Sequence, residues 1–169
     1  KQAAFIHGPP DCGKSQLQEF FKRLCNNSYF TLTAADLLDK FWKANVLGSR
    51  VVCVAEAAVA FLGTPAFLAL TGDPTHCINP KGISGYMADL DCMMFFFSNA
   101  SPEIDSKDEI FLRVVSCKME KPEITDDQII PTHEYQSLLQ KEARVFMSYC
   151  WRKYKEHKQT RFKPNMELL

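Results

Sequence analysis

Gly8-Pro9-Pro10-Asp11-Cys12-Gly13-Lys14-Ser15 follows the pattern glycine, any four residues, glycine-lysine-serine. The chemistry served by this spacing is the grip on a phosphate chain. Gly8 and Gly13 permit backbone angles that turn successive N–H groups inward toward phosphate oxygens, and a helix beginning at Lys14 and Ser15 adds its positive dipole end. Lys14 is then expected to reach the β and γ phosphates of ATP, and the Ser15 hydroxyl to ligate Mg²⁺. The plain alternative is a chance glycine turn between a strand and a helix.

Hydrolysis requires an acid as well as a phosphate grip. Glu56 follows the apolar run Arg50-Val51-Val52-Cys53-Val54, and a carboxylate at the carboxyl end of a buried strand can face Mg²⁺ and an attacking water. Its bland reading is a glutamate placed at a helix start by the macrodipole. Asn99 repeats the placement after Met93-Met94-Phe95-Phe96-Phe97-Ser98. A neutral amide there can hold the γ-phosphate or its water without adding negative charge; otherwise it caps a turn.

These residues need elements to position them. Ala3 to His7 is a short apolar run ending in glycine and two prolines, as for a buried strand entering a loop. From Ser15 to Leu24, the residues Leu17, Phe20, Phe21 and Leu24 share one helical face. Further strands are expected at Phe30–Thr33, Arg50–Val54, Met93–Phe97 and Ile110–Cys117, with helices over Ala34–Trp42 and over Ala57–Leu70, the latter interrupted near Gly63 and Pro65. Fully apolar strands alternating with helices indicate an α/β fold with a mainly parallel sheet covered on both faces. After the acidic loop Pro122–Thr132, a last helix carries Leu139, Ala143, Phe146, Met147, Cys150 and Tyr154 at helical spacing and grades into a basic tail.

Composition limits the function classes. At 169 residues, 46% hydrophobic and 24% charged, the chain reads as one globular domain. The 20 basic and 20 acidic side chains cancel, so bulk charge alone names no polyanion partner. Locally they separate: Glu103–Asp127 is acidic, whereas Arg152, Lys153, Lys155, Lys158, Arg161 and Lys163 are opposed in their stretch only by Glu156. That basic run reads either as an aid to DNA binding or as ordinary solvated charge. Seven scattered cysteines with no Cys-x-x-Cys pair suit a reducing intracellular compartment and give no zinc framework. The longest apolar stretches are broken or too short to span a bilayer, so no membrane association is expected. No signal peptide is evident, and Lys1, just ahead of a strand, reads as a cut in a larger protein.

Taken together, Gly8–Ser15, Arg50–Glu56, Leu70–Lys81 and Met93–Asn99 resemble, in order and spacing, the motifs of the superfamily-three helicases, the AAA-like ring ATPases of small DNA viruses. The run Phe5 to Ser15, the Phe41-Trp42 pair and Leu70-Thr71-Gly72-Asp73-Pro74 are especially similar to papillomavirus and parvovirus replication initiators. The likeness covers residues 3 to about 120; the helical, basic segment 133–169 matches no motif.

The resemblance implies a P-loop NTPase (AAA+-like) fold, ATP and Mg²⁺ as cofactors, and a homo-hexameric 3′-to-5′ helicase on single-stranded DNA. It also implies other replication proteins as partners, in the host nucleus. It makes Ile78-Asn79-Pro80-Lys81 the tip of a hairpin, with Lys81 contacting the DNA backbone and His76 a second contact. Without it, Lys81 is a solvated turn residue. Arg113 resembles the arginine finger that reaches a neighbouring subunit's nucleotide, where a fixed cation stabilises transition-state charge; alone, it could simply pair with an acid. Asn99 matches the sensor position. Ala55 stands where several relatives carry a first acid, leaving Glu56 to serve alone. The rival readings are an RNA-virus helicase of the same superfamily, a non-hydrolysing nucleotide-binding assembly module, and a small-molecule kinase.

Overall fold

A computed structural model describes residues 2–102, 109–125, 128 and 130–157. The chain divides into two compact units, Lys1–Pro122 and Glu123–Leu169. In the first, β1 (Ala3–His7), α1 (Lys14–Cys25), β2 (Tyr29–Thr33), α2 (Trp42–Asn45), β3 (Val51–Ala55) and α3 (Pro65–Gly72) precede a hairpin of β4 (Thr75–Ile78) and β5 (Tyr86–Asp89). Then come β6 (Met93–Ser98) and β7 (Val114–Lys118). Five strands form one sheet in the order β2-β3-β6-β1-β7, and every pairing in it is parallel. Strands β4 and β5 pair antiparallel, apart from that sheet.

The apolar strands are explained by burial on both faces. Alternate side chains of β1, β3 and β6 divide between two clusters. Phe5, Val52, Val54, Met94 and Phe96 join Phe67 and Leu70 of α3 on one side, where the rings of Phe61, Phe67 and Phe96 lie 5.7–5.9 Å apart. Ile6, Cys53 and Phe97 meet Leu17 and Phe21 of α1 on the other, with the Phe21 and Phe95 rings 4.4 Å apart. Each such buried side chain contributes about 1.5–3 kcal/mol. The helical face read from Leu17 and Phe21 is thus the one that covers the sheet.

The expected break near Gly63 and Pro65 is present. A 3-10 segment, Val59–Gly63, ends there, and α3 starts afresh with Pro65 at its first turn and the Thr64 hydroxyl accepting from the Phe67 N–H at 3.2 Å. The expected helix Ala34–Trp42 is instead a 3-10 turn, Asp36–Leu38, followed by α2. The Asp36 carboxylate accepts from the Thr33 N–H at 2.6 Å and Asp39 from the Phe41 N–H at 3.0 Å. Local side-chain partners therefore compete with helical ones. Ile110–Cys117 is likewise not one strand. A 3-10 turn, Glu109–Leu112, closes on the Arg113 N–H to Ile110 carbonyl bond at 2.8 Å before β7 begins.

In the second unit, α4 (Thr132–His157) follows the acidic loop as expected. Leu139 and Ala143 are buried, but Phe146, Met147 and Tyr154 are exposed, so the stripe read from sequence is covered only in its first half. Lys158, Arg161 and Lys163 of the basic tail, and Glu103 to Asp108 and Asp126 and Asp127 of the acidic stretch, lie outside the described residues.

A candidate site at the carboxyl ends of three strands

The turn between β1 and α1 is shaped by its glycines. Gly13, at φ 94°, is the residue before α1, and the first turn of that helix carries neither a capping side chain nor an acid. Its N-terminal N–H groups and positive dipole end therefore lack a carboxylate of the helix's own. Gly8 is needed for a different reason: a Cβ there would stand 2.2 Å from the Met119 carbonyl oxygen, which belongs to the backbone and cannot yield. Met119 is held in place by its own N–H, which donates to the His7 carbonyl at 2.7 Å. Asp11 has φ 62° and pairs with Lys121 at 3.7 Å.

Lys14 folds back over the turn. Its ammonium donates to the carbonyl oxygens of Gly8 and Pro9, each at 2.7 Å, and lies 3.4 Å from the buried Cys12 sulfur. Ser15 is exposed beside it, as are Pro9, Pro10 and Asp11.

Glu56 and Asn99 emerge at the same end of the sheet as this turn. Two bonds through β6 lace the tips together: the Ala57 N–H donates to the Phe97 carbonyl at 2.7 Å, and the Gly8 N–H to the Ser98 carbonyl at 3.3 Å. Because β6 lies between β1 and β3, the glycine turn and Glu56 are two strand spacings apart, about 10 Å. Both acid and amide are exposed. Glu56 also has φ 52°, in the left-handed region that a side chain enters at a cost of about 1 kcal/mol. Ala55 completes β3 in the register opposite Thr33.

Arg113 lies at the other end. It directly precedes β7, whose Val114 is level with Ala3, the first residue of β1. A strand of 5 residues separates it from the glycine turn, roughly 15 Å at about 3.3 Å per residue. Its guanidinium donates to the Leu68 carbonyl at 2.8 Å, with Thr71 Oγ1 at 3.4 Å. Gly72 makes the room, since a Cβ there would come within 2.6 Å of Nη1. Arg113 thus ties down the Leu68 carbonyl and the Thr71 hydroxyl of α3, the helix that leads into the hairpin, and is remote from its own chain's glycine turn.

The hairpin carries Lys81 exposed in its 79–85 tip. Pro80 lies in that tip, beyond the four ladder pairs, and so removes no ladder bond. His76 requires a correction. Strand alternation puts it inward with Ile78, only 4% exposed, so it is not available to a DNA backbone. Among the described residues no cluster of three or more His, Cys, Asp or Glu could hold a metal ion, and no helix is long and apolar enough to cross a membrane.

Sequence reasoning missed Met119 and Lys121, which reach the glycine turn, and Lys118, which stands level with His7, because they come there only through the pairing of β7 with β1. His7, the last residue of β1, is also part of this surround. Burial, and secondarily the charge of Lys118, hold its imidazole below the ordinary value of 6.5.

The span that carries this arrangement, from β1 to Arg113, is matched by a family profile over residues 6–113, for a family of unknown function, DUF5906. The chain belongs to the DUF5906 family. Three solved structures of the C-terminal region of NrS-1 in the apo state share the fold of this DUF5906 member. They superpose with TM-scores of 0.68, 0.65 and 0.60 at 20%, 20% and 22% identity, covering 88%, 85% and 82% of this chain. The chain spans 36%, 35% and 33% of the length of those three. No curated protein matches it.

Proposed function

We propose that this DUF5906 chain is a P-loop NTPase domain of the AAA-like type, hydrolysing ATP to drive a DNA helicase ring. One observation carries the reading: the glycine turn, Glu56 and Asn99 stand on one end of a parallel sheet in which β6 separates β1 from β3. Ligands of parallel sheets gather at strand carboxyl ends, and about 10 Å is room for a terminal phosphate and a water between turn and acid.

The residues fit ATP and Mg²⁺. A backbone cradle that a Cβ at Gly8 would fill, a lysine arched over it and an uncapped helix start are suited to a polyphosphate. Ser15 and Glu56 supply oxygen donors; Mg²⁺ commonly keeps several waters beside one or two protein ligands and the phosphates. When bound, the metal would neutralise charge building on the phosphate oxygens. Lys14 would exchange the Gly8 and Pro9 carbonyls for phosphate oxygens. Glu56 orients and polarises the attacking water, and Asn99 holds that water or the γ-phosphate with a neutral amide.

Arg113 cannot reach this site in its own chain, which agrees with service to a neighbouring protomer in a homo-hexamer. Leaving the Leu68 carbonyl to do so would free the helix that leads into the hairpin, linking hydrolysis to movement of Lys81 along single-stranded DNA. Replication-associated unwinding in a nucleus is the setting the motif resemblance implies.

Steady ATP turnover that disappears in Lys14→Ala and in Glu56→Gln tests the enzyme reading. Strand displacement on matched DNA and RNA duplexes tests the substrate. Ala55, where a first acid is usual, supports a second reading, a nucleotide-binding assembly module without turnover. Tight ATP binding with no phosphate release in the wild-type chain would select it.

A further inference from the structure

An acid stands inside the glycine turn. Asp11 is exposed and has φ 62°, in the left-handed region that aspartate and asparagine enter more readily than other side chains. That preference explains the backbone but not the charge, because a carboxylate among N–H groups suited to phosphates repels the ligand they would hold. The two flanks of the turn differ. Glu56 emerges on the β3 side, whereas on the other side β7 runs out through Lys118, Met119, Glu120 and Lys121. This run is fastened to the turn: the Met119 N–H donates to the His7 carbonyl at 2.7 Å, and the Met119 methyl lies 3.6 Å from where a Cβ on Gly13 would stand. Lys118 is matched by Glu120 at 3.3 Å, and Lys121 Nζ lies 3.7 Å from the Asp11 carboxylate.

We propose that Lys121 is a positioning residue for the nucleotide, masking the Asp11 carboxylate so that the turn accepts a triphosphate although it carries an acid. The inference rests on the reading of this turn as an ATP site and adds to it a residue from outside the motif. Lys14 is not suited to the task. Its ammonium donates to the Gly8 and Pro9 carbonyls, and it is the cation that would pass to the phosphates. Asp11 and Lys121 are both exposed, so their pair adds little to the stability of the fold. A ligand, however, feels the sum of the charges within about a screening length of about 8–10 Å, and for that sum nearness suffices. The anchored backbone at Met119 keeps Lys121 near whatever rotamer it adopts.

Unmasking the acid has a measurable cost. Like charges about 7 Å apart in water weaken association about threefold per pair at low salt. Mg-ATP carries two net negative charges and Mg-ADP one, so Lys121→Gln should weaken mant-ATP about fivefold and mant-ADP about twofold in fluorescence titrations of the full chain with Mg²⁺. Both losses should vanish at about 1 M salt, where the screening length is about 3 Å. Urea midpoints should match wild type, and Lys121→Arg should bind as wild type does. Asp11→Asn keeps a residue suited to positive φ and removes the charge that needs masking. Added to Lys121→Gln, it should restore the affinity that the single variant lost.

Wild-type binding of mant-ATP with no change in Lys121→Gln would overturn the inference and leave the ATP site standing. A loss that persists in the double variant would overturn it too, since it assigns Lys121 a direct phosphate contact. So would a loss equal for mant-ATP and mant-ADP and indifferent to salt, or one accompanied by a lower urea midpoint, which makes Lys121 a structural residue. A wild type that binds no mant-ATP would remove the ATP site and this inference together.

Discussion

The Lys14 ammonium is bonded to the Gly8 carbonyl oxygen at 2.7 Å, so the cation proposed to meet a phosphate chain is held by the very turn proposed to cradle that chain. Two carbonyl partners keep it satisfied over the mouth of the turn, and a polyphosphate would exchange neutral acceptors for charged ones, which make stronger bonds. Lys14→Ala should therefore reduce ATP turnover by about a hundredfold or more, as expected for removal of one transition-state donor. Fluorescent-nucleotide binding and phosphate release, measured side by side, check it.

Gly8→Ala should destabilise the fold by about 2–3 kcal/mol, because the added carbon meets the backbone oxygen of Met119 at 2.2 Å. Gly63→Ala, where no atom lies within 4 Å of the new carbon, should stay within about 0.5 kcal/mol of wild type. Urea midpoints of the two variants test the contrast. Equal midpoints would mean that Met119 does not hold the turn.

Glu56 is strained in the left-handed region. Asparagine enters that region more readily, so Glu56→Asn should leave stability unchanged or raise it by up to about 1 kcal/mol, while ATP turnover falls more than a hundredfold. Strain is stored at sites where geometry serves function. A variant that loses stability and activity together would point to a structural role for this carboxylate.

His7 gives a pH dependence of definite sign. Its folded pKa lies below the ordinary 6.5, first because burial disfavours the charged ring and then because of Lys118. The unfolded chain then takes up the proton first, so this stabilising contribution is complete above pH 6.5 and declines as pH falls through the folded value. Denaturation midpoints should drop on acidification from pH 8 to 5.5 more steeply in wild type than in His7→Gln.

Most of the sheet was legible because burial on both faces writes itself as unbroken apolar runs, as in Val51–Val54 and Met93–Phe97. The glycine turn between β1 and α1 was legible because its glycines, lysine and serine are local in sequence. What escaped depended on partners far along the chain. His76 looked like a surface histidine until β4 paired with β5 and turned it inward. Gly72 and Arg113 are 41 positions apart, and nothing in either neighbourhood announces that one makes space for the other. Leu37, Leu38 and Phe41 lent Ala34–Trp42 a helical spacing, but Asp36 and Asp39 bind nearby N–H groups and hold its first part as a 3-10 turn.

The strand's length between Arg113 and the glycine turn has a kinetic corollary. If the guanidinium completes a catalytic centre, it does so for somebody else, and a solitary chain owns two incomplete halves. Specific activity should then collapse on dilution, with a rate rising faster than first order in protein. Inactive Lys14→Ala chains mixed with inactive Arg113→Ala chains should regain turnover at the junctions where an intact turn faces an intact arginine.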